Sequence, residues 1–240
     1  MLIVYTFKRN AFAMLELIFA IVIMGIVLMS APTLISQANK GSLSVVQQEA
    51  VVAGATEIGM IMTRHWDEAD TNESDYNPIL QVNENITALN ESITIPGKRI
   101  GTPLLASRGF LTSSGQKLNA TAIGNEDATA YDDIDDFNGK NTSLNTIDTT
   151  TTETGDYIDS SLQINTIVQY ISAPNINYTA ATISFNQPFT NVAAAGTTSN
   201  IKEIQTTVTS GSHEAELGTN ITLRAFMCNI GTYILKSRTF

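Results

Sequence analysis

The densest concentration of chemically capable side chains in the sequence is an acidic run. Glu126-Asp127 is followed by Tyr131-Asp132-Asp133-Ile134-Asp135-Asp136-Phe137-Asn138-Gly139, which places six carboxylates between positions 126 and 136. Carboxylates this close repel one another unless water solvates them or a cation bridges them. Calcium takes about six to eight oxygen ligands, and Asp132, Asp133, Asp135, Asp136 and Asn138 are donors of the right kind. The EF-hand spacing does not fit. With Gly139 in the glycine position, Ile134 stands where the first Asp belongs and Asn145 where the bidentate Glu belongs. The alternative is a solvated acidic turn that Ile134 and Phe137 pin to its domain.

A second carboxylate stands out by isolation. Between Phe12 and Ile35 the only formal charge is Glu16, and nearly every other side chain is apolar. A carboxylate in a membrane-length apolar helix costs at least a few kcal/mol and marks function by default. It lies four positions after Phe12. If Phe12 became a free N-terminus, its ammonium would lie one helical turn from Glu16, and the two would neutralise each other within a subunit or between neighbours.

Other reactive types are sparse. His65 precedes Asp67, Glu68 and Asp70, but the only other histidine is His213, so this stretch reads as a helix end with a polar cap and Trp66 as an aromatic anchor. Cys228 is the single cysteine, which excludes an internal disulfide and a multi-cysteine zinc site. Among the Asn-x-Ser/Thr sites, Asn72 also has an acidic residue, Asp70, two positions earlier, the pattern bacterial oligosaccharyltransferase requires. Asn72 is therefore a glycosylation candidate in a host with that enzyme. No Gly-x-Ser-x-Gly, Walker loop, dinucleotide fingerprint or His-Glu-x-x-His occurs, and the expectation is that the chain is not an enzyme.

These residues sit in two physical regimes. The 240 residues are 43% hydrophobic and 15% charged, with 13 Lys+Arg against 23 Asp+Glu and a net charge of −10. Residues 12–35 would form a helix of roughly 36 Å, enough to cross a hydrocarbon core of about 30 Å. Lys8 and Arg9 place its N-terminal end in the cytoplasm by the positive-inside rule. The rest of the chain is acidic and rich in Thr, Asn and Ser, so no nucleic-acid partner is expected.

Lys8-Arg9-Asn10-Ala11 followed by Phe12-Ala13-Met14-Leu15-Glu16-Leu17-Ile18 resembles the processing and methylation motif of type IV pilins and type II secretion pseudopilins. That pattern is a short basic leader, a small residue, then Phe with Glu at the fifth mature position and an apolar tail. Ala11 departs from it, since most members have Gly there. The resemblance implies cleavage after Ala11 by a prepilin peptidase, methylation of the Phe12 amine, and pairing of Glu16 with the N-terminus of an adjacent subunit. It implies as partners other pilin or pseudopilin subunits, the inner-membrane assembly platform, and membrane lipid before assembly. It also implies a single-pass inner-membrane protein with its C-terminus in the periplasm, later part of a pilus or pseudopilus. Asp-Asp-Ile-Asp-Asp-Phe-Asn-Gly at 132–139 further resembles a stretch of some mannose-sensitive-haemagglutinin-type minor pilins. The competing reading is a signal-anchored periplasmic sensor or binding domain with no assembly role.

The elements that must position these residues follow from periodicity. Helix is expected from about Ala13 to about Trp66, with a kink at Pro32 and further weak points at Gly41 and Gly59. Beyond Pro32, Leu43, Val46, Ala50, Gly54, Ile58 and Ile61 recur at helical spacing as one buried stripe. Ile93–Ile95 and 100–105 read as short strands around Pro96-Gly97. From about residue 160 the period becomes two. Leu162, Ile164, Val168 and Tyr170 share a face, followed by Ile183 with Phe185, then Ile204 with Val208, then Ile221, Leu223, Ala225 and Met227. The predicted class is α+β and pilin-like, the outer half of a long N-terminal helix packing on a C-terminal antiparallel sheet. The organisation expected is leader 1–11, membrane or filament-core helix 12–35, amphipathic half 36–66 and head 67–240.

Overall fold

A computed structural model describes residues 10–71, 77–124, 130–145, 161–172, 181–182, 191–210 and 220–233, with side chains from Ala13 onward, Asn145 excepted. The chain divides into two compact units, Met1–Gln48 and Glu49–Phe240.

The described residues of the first unit are helix. α1 (Asn10–Ile61) begins here and runs through Pro32 without interruption. Proline has no N–H to give the carbonyl of Leu28, so one ladder bond is lost. Two hydroxyls near it turn back on the helix, Ser30 Oγ to the Val27 carbonyl at 3.0 Å and Thr33 Oγ1 to the Ser30 carbonyl at 2.6 Å. The side chains of residues 13–40 are all exposed, including Leu17, Ile18, Phe19, Ile21 and Met24. The helix is long and apolar enough to cross a membrane.

In the second unit the last turns of α1 become one-sided. Ala50, Gly54, Ile58 and Ile61 are buried while Val51, Val52 and Met60 face out, which bears out the expected stripe. Gly54 makes this packing possible. A β-carbon there would meet Leu223 Cδ1 at 3.0 Å and Val208 Cγ2 at 3.1 Å, so the helix backbone lies nearly on the sheet. α1 stops at Ile61, short of Trp66. The Arg64 amide bonds the Ile61 carbonyl at 3.0 Å, and the His65 amide then donates to the Asp132 carbonyl at 3.2 Å. The chain leaves the helix because its next amides find tertiary acceptors.

Four strands form one antiparallel sheet in sequential order: β1 (Asn141–Asn145), β2 (Ser161–Ile171), β3 (Ile201–Ser210) and β4 (Ile221–Cys228). The long N-terminal helix packed on this C-terminal sheet makes the protein α+β. β2 alternates as expected, with Leu162, Ile164, Val168 and Tyr170 buried. β3 buries Lys202, Ile204, Thr206 and Val208 on the matching face. The register sets Lys202 beside Tyr170 on β2 and Met227 on β4. The sheet begins at Asn141, earlier than periodicity indicates, because β1 has a single apolar side chain, Leu144, and is held by its pairing with β2.

The expected strands around Pro96-Gly97 shrink to a turn closed by one bridge between Glu91 and Arg99. Gly97 has φ 78°, a left-handed value that glycine adopts without strain. Ile93 is fully exposed, so no buried face selects a strand there. The expected Ile183–Phe185 strand lies outside the described residues.

Gly54→Val should lower the stability of the head by about 1–3 kcal/mol, the usual penalty for overpacking. Chemical denaturation followed by the fluorescence of Trp66, the single tryptophan, measures it.

Candidate functional site

Two places concentrate functional side chains. The first is the start of α1. Ala11 and Phe12 lie in its first turn, their side chains outside the described ones, and Glu16 is exposed one turn later among exposed apolar neighbours. Pro32 follows within the same continuous helix.

The second is a buried charge cluster in the head, built around Lys202. Inward parity on β3 carries this lysine under the sheet, where its side chain has no solvent exposure. Its Nζ donates to the Trp66 carbonyl at 2.8 Å, Asp67 Oδ2 at 2.9 Å and Asp135 Oδ2 at 2.6 Å. The Trp66 and Tyr170 rings flank it, with centroids 4.3 and 4.9 Å away, close enough for cation–π attraction. The two rings meet edge-on at 6.1 Å. Both carboxylates are as buried as the lysine. Removing such ions from water costs several kcal/mol each, and only close pairing with further hydrogen bonds offsets it.

Asp67 meets that requirement from both oxygens. Oδ1 accepts from the amides of Ala69 at 3.2 Å and Thr121 at 3.1 Å; Oδ2 accepts from the Tyr170 hydroxyl at 3.1 Å besides Lys202. Asp135 is placed by the 3-10 turn Asp135–Phe137. The Asp133 carboxylate shapes that turn by accepting from the amides of Asp135 at 2.8 Å and Asp136 at 3.0 Å. Asp136 Oδ2 accepts in turn from the amides of Asp132 at 3.1 Å and Asp133 at 3.4 Å. Asn138 Oδ1 accepts from the Val168 amide at 3.1 Å and fastens the turn to β2. Ile134 and Phe137 are buried beneath it, as the acidic-turn reading expects, but Asp133, Asp135 and Asp136 are buried as well, so the turn is held by internal hydrogen bonds rather than solvated.

The run therefore divides its work. Asp133 and Asp136 hold local backbone, Asn138 holds the sheet, and Asp135 faces a cation supplied by the chain itself. Among the described residues no group of three or more His, Cys, Asp or Glu side chains is disposed to hold a metal ion. Glu126, Asp127, Asn72 and His213 lie outside the described residues. Trp66 is the aromatic anchor expected at the helix end, its indole N–H 3.4 Å from the Met227 carbonyl. His65 Nδ1 contacts Asn77 Nδ2 at 2.9 Å and Asp70 Oδ1 at 3.4 Å. Lys202, Asp67 and Tyr170 were not singled out together by spacing. The available signal was a lysine on the apolar parity of a strand otherwise lined by Ile204, Thr206 and Val208.

Burial dominates the electrostatics. It pushes the carboxyl of Asp135 well above its ordinary range, with Lys202 opposing, and those of Asp133 and Asp70 up to about 7. The Asp136 carboxyl is raised for the same reason, and the Tyr170 phenol is raised by burial and then by Asp67. Among the described residues, Asp133 Oδ2 and Asp135 Oδ1 meet no hydrogen-bond partner, which disfavours their anionic forms.

Carboxyls with raised folded-state values retain protons that the unfolded chain has released. Stability from Asp70 and Asp133 is therefore full below the unfolded carboxyl range near pH 4 and lost as pH rises through about 7. The denaturation midpoint of the head should fall between about pH 5 and about pH 8, as urea titration monitored by Trp66 fluorescence would measure. Lys202→Met should destabilise the head by about 3–5 kcal/mol on the same assay, since it leaves two carboxyls buried without their cation. Compared with models of protein families, with curated proteins and with solved structures, the chain matches none.

Proposed function

We propose that this chain is a structural subunit, a minor pilin or pseudopilin, of a type IV filament or a type II secretion system. The observation that carries the reading is the conjunction at the N-terminus. A basic Lys8-Arg9, the small Ala11, Phe12 and the lone Glu16 stand at the head of a helix whose side chains at 13–40 are exposed and, as far as Ile35, mostly apolar. Such a surface is unstable in water and must be covered by lipid or by other helices.

Assembly would use each part for a separate physical task. Before it, lipid covers residues 12–35 in the inner membrane, with the head on the periplasmic side. Cleavage after Ala11 by the prepilin peptidase frees the Phe12 amine, which is then methylated. The Glu16 carboxylate neutralises that amine on a neighbouring subunit as the assembly platform draws the helix out of lipid. Apolar helix packing supplies cohesion in the filament core. Charge pairing sets the axial register, because an unpaired carboxylate or amine in an apolar core is expensive. The −10 chain keeps its acidic head at the filament surface, where water solvates it.

Mass spectrometry of the mature N-terminus tests the reading. In cells containing the prepilin peptidase the chain should begin at methylated Phe12, and in cells lacking it at Met1. An intact Met1 in both would overturn the proposal and leave a signal-anchored periplasmic domain. Glu16→Ala should remove the chain from sheared filaments while the Trp66 fluorescence of its head stays unchanged.

A further inference from the structure

We propose that Lys202 and Asp135 become joined by an intramolecular isopeptide bond, formed by condensation of the lysine amine with the aspartate carboxyl, with Asp67 as the base that carries the proton. This rests on the head alone and is independent of the filament reading.

The two groups are already in hydrogen-bond contact. Nζ stands 2.6 Å from Asp135 Oδ2, and neither side chain has solvent exposure. Holding reactants in contact removes the entropic part of a bimolecular barrier, which in well-oriented cases reaches effective concentrations of about 10⁵ M or more. The lysine's other neighbours fix its direction of attack. A neutral amine has two N–H bonds and one lone pair. The Trp66 carbonyl and Asp67 Oδ2 are acceptors for the two N–H bonds, which leaves the lone pair on the side of Asp135 Oδ2, and rotation of that carboxyl would turn its Cγ toward the nitrogen. The rings of Trp66 and Tyr170 wall the amine.

The step requires a neutral amine and a neutral carboxylic acid. A neutral amine beside a neutral carboxylic acid is the ion pair with one proton moved across the 2.6 Å contact. Desolvation penalises the ionic form, and the Asp135 carboxyl is pushed upward by it. Asp67 Oδ2 lies 2.9 Å from the amine, within reach to take its proton.

The step then balances without a co-reactant. The Nζ lone pair attacks Asp135 Cγ and the N–C bond forms. Asp67 takes one proton from the nitrogen and passes it to a departing Asp135 oxygen. That C–O bond breaks, one water leaves, and Asp67 is again a carboxylate. The amine and the acid have become an amide, and no atom is oxidised or reduced. Two buried ions are replaced by one neutral group, removing the desolvation penalty that the pair carries. The bond ties the turn holding Asp135 to central strand β3 and closes a covalent loop from residue 135 to residue 202.

Peptide mapping of the full chain, purified in detergent and denatured before trypsin, reads the bond directly. Trypsin should fail to cut after Lys202, because an acylated lysine is not a substrate. Residues 118–140 should be recovered attached to residues 141–224, at the summed mass less one water. Free 118–140 together with cleavage after Lys202 would overturn the proposal. Attachment of 65–98 in place of 118–140 would overturn the choice of Asp135, since that peptide carries Asp67. In Asp67→Asn the link should be lost or slowed severalfold, and an undiminished link would overturn the role of Asp67. The wild-type map stands whether or not that variant folds.

Discussion

A lysine with no access to water governs the head. Lys202 reaches from the start of inner strand β3 to Trp66 and Asp67, just beyond the end of the helix, and to the turn that carries Asp135, and each of these contacts is a charge or a dipole. An unpaired ammonium at this depth would be far less stable than any arrangement that pairs it. The positions of Asp67, Asp135 and Tyr170 are thereby mutually required. The Asp133 carboxylate caps the turn that presents Asp135, Asn138 binds that turn to β2, and Thr121 braces Asp67. The apolar packing of Trp66, Ile134, Phe137 and Ile204 surrounds this cluster in the same core. Hydrophobic burial alone is non-directional; the charges give the core one permitted arrangement.

The two ends of the molecule treat carboxylates in opposite ways. At Glu16 a single acid is placed in an apolar helix where a partner from another subunit would satisfy it. In the head, several acids are crowded together and the chain supplies its own counter-charge and backbone donors. The common rule is that an acid removed from water must be given a partner or a proton. Among the described residues Glu16 lies exposed on its helix, whereas the core supplies partners for its acids from within the chain.

What the sequence disclosed follows from how local each signal is. The stripe Ala50, Gly54, Ile58, Ile61 and the alternation Leu162, Ile164, Val168, Tyr170 are periodic within one element, so the buried faces were legible. The end of α1 was not, because it depends on the His65 amide finding the Asp132 carbonyl far along the chain. β1 was hidden because Asn141-Thr-Ser-Leu-Asn145 has no apolar alternation and exists through its neighbour. The acidic run was legible as a problem of repulsion needing a cation. Its counter-charge was not, since Lys202 is 67 positions from Asp135 and 135 from Asp67. No window of sequence contains all three.

That separation has a consequence for the order of events as the chain is made. Synthesis from the N-terminus delivers Asp67, then the acidic run, while Lys202 is still to come. Until β3 arrives, the early part of the head holds acids whose internal cation is missing, and water is their natural solvent. The arrangement around Lys202 therefore cannot be completed until β3 has been made, so the core closes late in synthesis rather than segment by segment.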